Sequence, residues 1–203
     1  MAEAFTVTGD KGGKTGVVPM AVAPPESMID EVSLAKMPGG AAFADMLSAF
    51  LAHERCGVHL YRTVATKTLD DGYRAKFEEF LDQTKEHVSV LESLISELGG
   101  DPMYVSPTAR LVEAQDTKLL EPFLLSGGLD ATSIELACLE AVMLGERKCH
   151  ANWQFLSKMA GSLPHKKANK AIQKAVDKVQ HEEDEHVAWV ETAWEQLMMS
   201  QVQ

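Results

Sequence analysis

HERCGVHLYRTVATK, residues 53–67, and GERKCHANWQFLSKM, residues 145–159, are two versions of one pattern that sets Glu54 against Glu146 and Tyr61 against Trp153. In both, apolar residues return at three- and four-residue spacing, the period of a helix that buries one face. Each is followed by a second helical stretch with a histidine well along it. His87 lies 33 residues after Glu54, and His186 lies 40 after Glu146, the longer interval being absorbed by the loop GSLPHKK at 161–167. A helix pair is therefore repeated. A repeated pair puts equivalent residues on opposite sides of one core, about a pseudo-twofold axis.

Working outward, helical periodicity predicts four long helices at about 41–68, 72–98, 130–159 and 165–199. LDDG at 69–72 separates the first two, with Asp70 or Asp71 available to cap the second helix, and Gly99-Gly100-Asp101-Pro102 stops it. The short links make two antiparallel hairpins. Between the hairpins lie about 30 residues, enough to cross the length of a bundle, with a helix of their own in SPTARLVEAQDTKLLEPFLL (106–125). Candidates for β-strands are almost absent. The expected fold class is all-α: a four-helix bundle of two hairpins joined by a long crossover that contains a short helix.

Residues 1–38 are rich in Gly, Pro and small residues without a sustained period. They are expected to be a flexible N-terminal tail, with a short helix in PESMIDEVSLAKM (25–37), leaving 39–203 as the bundle domain. GDKGGKTG (9–16) invites a phosphate-loop reading, but the motif needs a Gly where Thr8 stands, and no strand precedes it.

Apolar residues at 45% are enough for a core, and a net charge of −11 with no basic stripe argues against nucleic acid and anionic membrane surfaces as partners. Three cysteines, Cys56, Cys138 and Cys149, form neither a disulfide framework nor a CxxC zinc site, which points to reduced thiols in a cytoplasmic protein. No stretch has the roughly 20 apolar residues of a membrane helix or the pattern of a signal peptide.

The chemistry lies in which way the charges point. Glu54, His87, Glu146, and the pair Glu183 and His186 each fall mid-stripe on the apolar face of their helix. An unpaired buried carboxylate costs several kcal/mol, and converging carboxylates repel one another as well. A pair of cations removes both penalties, and carboxylates with imidazoles suit iron or manganese. The pattern of one Glu from each of two helices and Glu-x-x-His from each of the other two is a known arrangement in helical bundles. It is met here except at Thr84, which stands where the second pair needs a Glu.

On these residues the chain resembles the ferritin-like superfamily, closest to its rubrerythrin-type members, over roughly residues 41–199. The resemblance implies a di-iron or di-manganese centre that oxidises ferrous iron, reduces peroxide or activates dioxygen. It implies Glu54, His87, Glu146, Glu183 and His186 as ligands, and Tyr61 as a hydrogen-bond donor to a ligand carboxylate. Two departures stand out: the chain has no cysteine-bound iron domain, and Thr84 replaces a bridging carboxylate, so one metal position is expected to be weakened or remodelled, with one metal per chain as the alternative to two. His150, one turn beyond Glu146, could supply the missing donor; Glu86 is turned too far round its helix.

The same residues have plainer readings. HEEDEHV (181–187) taken alone is commonly a solvated face, and Glu182 and Glu185 are read as that face. His53 and His59 point off the Glu54 stripe and are read as structural or surface residues, and Cys149 as a small hydrophobe. A bundle that has lost redox chemistry and serves as a structural or stress-related binding module is the alternative function, and an iron-storage cage a third. A homodimer is expected from the Leu, Met and Trp content.

Overall fold

The computed structural model describes residues 5–7, 16–18, 39–124, 127–163 and 165–203. Near the N-terminus β1 (Phe5–Val7) pairs antiparallel with β2 (Gly16–Val18), a small ladder within the segment expected to be a flexible tail. The helix expected at 25–37 and the turn residues of GDKGGKTG lie outside the described residues, apart from Gly16. From Gly40 onward the protein is all helical: α1 (Gly40–Lys67), α2 (Asp71–Glu97), α3 (Pro107–Asp116), a short α4 (Glu121–Leu124), α5 (Ala131–Ala160) and α6 (Lys166–Ser200).

Local chemistry sets the boundaries. Asp70 caps α2 by accepting from the Tyr73 N–H, Ser106 caps α3 from Ala109 with Pro107 in the first turn, and Asp130 caps α5 from Ser133. The end of α2 is closed by Gly99 at φ 74°, with the Gly100 N–H on Ile95 O and the Gly99 N–H on Ser96 O. That pair of bonds satisfies carbonyls the last turn would leave exposed, and the left-handed backbone needs glycine.

The helix directions follow from side-chain contacts. The buried Glu135 carboxylate near the start of α5 accepts from Thr68 Oγ1, Leu69 N and Asp70 N at the end of α1. α5 therefore enters beside the end of α1 and runs back along it, bringing Gly145 to His53. In the connection, Ser106 N donates to Ser48 Oγ, and ten residues on Asp116 meets His53. α3 thus runs along part of α1, and the connection as a whole carries the chain from the end of α2 to the opposite end of the long helices, where α5 begins. α1 packs on α2 and α5, and α6 packs on α5 and α2.

The apolar core is divided. One block gathers Leu47 and Leu51, Leu91 and Leu94, Leu156, and Ile172 and Val176 from the four long helices. The other gathers Leu60 and Val64, Phe77 and Phe80, Leu139 and Val142, and Val190. On every long helix the chemistry-bearing residues fall between its contributions to the two blocks: Glu54, then Thr84 and His87, then Glu146 and Cys149, then Glu183 and His186. Burying each Leu or Phe contributes about 1.5–3 kcal/mol, so the blocks above and below can offset a polar layer that is costly in itself. Among the described residues no helix is long and apolar enough to cross a membrane.

Candidate metal centre

The polar layer is deeply enclosed: Glu54, His87 and Glu183 are each 1% exposed and His186 is fully buried. Two groups of donor atoms form within it, Glu54–Cys149–Glu183 and Glu146–Glu183–His186, the atoms of each lying within 4.8 Å of one another. Glu183 belongs to both. His87 Nδ1 adjoins the first group, 2.9 Å from Glu183 Oε1 and 3.9 Å from Glu54 Oε2. The two imidazoles face one another with ring centroids 5.7 Å apart.

The hydrogen bonds around the layer are reciprocal. The Tyr61 hydroxyl of α1 donates to Glu146 Oε1 of α5 at 2.8 Å, and the Trp153 indole of α5 donates to Glu54 Oε1 of α1 at 2.7 Å. The histidines are exchanged in the same way. His87 Nε2 lies 2.8 Å from Glu182 Oε2, and His186 Nε2 lies 2.8 Å from Gln83 Oε1. Gln83 stands four residues before His87 and Glu182 four before His186, so each histidine is held by the residue one turn ahead of the other. This is the repeat expressed as geometry. Such outer partners fix the tautomer and aim of a ligating imidazole.

The tautomer has a consequence. Facing an acceptor oxygen, Nε2 of each ring donates, so a neutral ring turns the lone pair of Nδ1 inward. For His87 that lone pair meets Glu183 Oε1 outside hydrogen-bond geometry, whereas His186 Nδ1 and Glu146 Oε2 lie 3.1 Å apart in hydrogen-bond geometry, with a proton shared between them. Glu54 Oε2, Glu183 Oε2 and His87 Nδ1 are buried without a hydrogen-bond partner among the described residues. Lone pair facing lone pair in a dry core is repulsive unless a proton or a cation lies between. Burial pushes the carboxyls of Glu54 and Glu183 above their ordinary range; Glu146 adds to the push on both, while His87 and Trp153 pull Glu54 partly back. Burial and the Glu146 carboxylate likewise raise the Tyr61 phenol, which keeps it a donor. Oxygen and nitrogen donors with unpartnered lone pairs fit a divalent cation.

Of the residues singled out in the sequence, Glu54, His87, Glu146, Glu183, His186 and Tyr61 come together here. His150 does not join them. Four residues past Glu146 a helix has turned about 40° beyond the starting face. That rotation carries the His150 ring to the α6 flank, where Nε2 meets Asp184 at 2.7 Å. Thr84 is buried in the layer, but its hydroxyl donates back to Phe80 O one turn earlier. Glu182, read as solvated, anchors His87, whereas Glu185 does face outward and pairs with Lys76.

His53 is neither exposed nor idle: Nδ1 lies 2.7 Å from Asp116 Oδ2 and Nε2 lies 3.0 Å from Gly145 O. Both partners only accept, so both contacts are satisfied when both ring nitrogens donate, which favours the protonated ring. Burial opposes that charge, but the Asp116 carboxylate, helped by Glu54 and the Gly145 carbonyl, offsets it, and the His53 pKa is raised. Gln83 and Glu182 were findable in the sequence by their shared spacing to the histidines, while the His53–Asp116 pair depends on where the connection docks.

No family model, curated protein or solved structure matches the chain.

Proposed function

We propose that this chain is a ferritin-like protein of rubrerythrin type, with two antiparallel helix hairpins joined by a crossover, that binds a pair of iron or manganese ions. We further propose that it acts as a redox protein on ferrous iron, peroxide or dioxygen. The observation that carries the reading is the shared carboxylate: Glu183 belongs to both donor groups, as a ligand bridging two cations would. The bound metals would supply the electron transfer. The residues supply place and orientation. Glu54 and His87 would serve one ion, Glu146 and His186 the other, with Tyr61 and Trp153 each fixing one oxygen of a carboxylate so that the other turns inward. The Phe80 ring, 4.0 Å from that of His186, helps exclude water from one side.

The test is metal content per chain for protein purified without chelator, then anaerobic ferrous loading, then oxidation by peroxide or dioxygen. About two ions per chain, and ferrous oxidation lost in Glu183→Ala with helicity retained, support the proposal. No metal after anaerobic loading refutes it. Thr84 favours a second reading, a redox-inactive bundle holding one ion or none, because a neutral hydroxyl bonded within its own helix is a poor substitute for a bridging carboxylate. One ion per chain with no ferrous oxidation would select that reading. A homodimer accompanies both readings, and light scattering separates it from a many-subunit cage.

A further inference from the structure

The repeat gives Cys149 a meaning. The interval that carries Glu54 onto Glu146 carries Gly57 onto Cys149, and the interval that carries His87 onto His186 carries Thr84 onto Glu183. Gly57 with Thr84 in one half therefore corresponds to Cys149 with Glu183 in the other. In the first half the two small residues close on each other: a Cβ at Gly57 would lie 3.3 Å from Thr84 Cγ2. In the second half a donor atom from each of Cys149, Glu183 and Glu54 falls within one 4.8 Å group. Where one half has lost a carboxylate, the other presents a thiol.

We infer that Cys149 supplies a sulfur ligand to the cation position formed by Glu54, Glu183 and His87, making it a mixed nitrogen, oxygen and sulfur site for a borderline divalent ion such as zinc or ferrous iron. The inference rests on the metal-binding reading above and deepens it by making the two positions unequal.

A lone buried cysteine would carry none of this. Here it falls in one donor group with Glu54 and Glu183, whose Oε2 atoms are themselves buried and unpartnered, and the equally unpartnered His87 Nδ1 adjoins Glu183. Cys149 is 3% exposed and free of any disulfide. Thiolate donors select zinc and iron over magnesium and calcium, whereas the Glu146–Glu183–His186 group has only oxygen and nitrogen to offer. As the metal–sulfur bond forms, the S–H bond breaks and its proton leaves to water; no electron is transferred and no oxidant is needed.

The experiment is anaerobic titration with cobalt(II), a spectroscopic stand-in for zinc and ferrous iron. It uses the full chain, Cys149→Ala, and a Cys56→Ala/Cys138→Ala double variant in which Cys149 is the remaining cysteine. The expected result is a near-ultraviolet sulfur-to-cobalt charge-transfer band in the wild type and the double variant. That band is absent from Cys149→Ala, whose cobalt affinity falls at least about tenfold, since losing even an outer-shell partner of a ligand costs that much. Should Cys149→Ala fail to fold, the band in the double variant assigns the sulfur by elimination. Cobalt bound by the wild type without the band, or a band that survives in folded Cys149→Ala, overturns the inference and leaves the metal-binding reading standing. A wild type that takes up no cobalt overturns both.

Discussion

Replacing Glu183 by Gln should change stability in opposite directions with and without metal. Glu183 is 1% exposed, its Oε2 has no partner among the described residues, and its Oε1 lies against the His87 lone pair. Burial, then Glu146 and Glu54, raise its pKa well above the ordinary 4.5. A carboxyl whose folded pKa is raised favours the fold only while protonated. Relative stability is then complete below the unfolded value and falls as pH rises through the folded one. Gln keeps the shape, cannot ionise and can donate to Glu54 Oε2. Neutralising a poorly paired buried charge at constant shape recovers about 1–3 kcal/mol. For a chain of this size that is about 2–12 °C in melting temperature. Metal-free Glu183→Gln should therefore melt higher than wild type at pH 8, with the gap closing near pH 4.5. Saturating metal should reverse the order, because ligand at a hundred times its dissociation constant adds about 2.7 kcal/mol to the form that binds it. Calorimetry at both pH values, with chelator and with ferrous ion under argon, reads all four states. A metal-free variant that melts lower than wild type at pH 8 would refute the account of the layer as an uncompensated charge cluster.

Asp116→Asn should cost about 3 kcal/mol at pH 5 by leaving the His53 cation buried without its partner. Because the His53 pKa is raised, that contribution is lost as pH climbs through its folded value, so urea midpoints of variant and wild type should converge toward pH 9. Glu182→Ala and Gln83→Ala should each leave the helices intact while weakening metal binding about 10–100-fold through a loosened imidazole, measured by competition with a chromogenic chelator. Thr84→Glu should raise the number of ions bound per chain and lower metal-free stability by several kcal/mol, read by elemental analysis and urea unfolding. An unchanged metal count in a folded variant would mean that the ligands are not arranged around position 84.

The long helices were legible to within a residue because their ends are written in local chemistry. A helix expected at 72–98 spans Asp71–Glu97, with Asp70 as the cap. Their buried faces were legible from period alone, and so was the unusual placing of Glu54, His87, Glu146, Glu183 and His186 on those faces. What the sequence concealed is contact between helices. Glu182 and Gln83 share a four-residue spacing to the histidines that the sequence displays, but only when α2 and α6 are set side by side does each become the anchor of the other helix's histidine. His150 shares a nominal face with Glu146, yet a 40° offset suffices to hand it to Asp184. His53 depended on the docking of α3, a helix whose sequence says that it forms but not where it lands.

The crossed hydrogen bonds of the polar layer also dictate how the halves can assemble. Glu54 finds its donor on α5, and Glu146 finds its donor on α1, so neither helix pair completes its own inner face. Apolar blocks of leucine and valine would tolerate sliding, since one such contact resembles another. The layer would not. Slipping α5–α6 by one turn, about 5.4 Å, along α1–α2 would set carboxylates against leucines and leave an indole and a phenol without acceptors, at several kcal/mol per stranded group. The costly residues thus act as a vernier: whatever they bind, they leave the two pairs a single alignment.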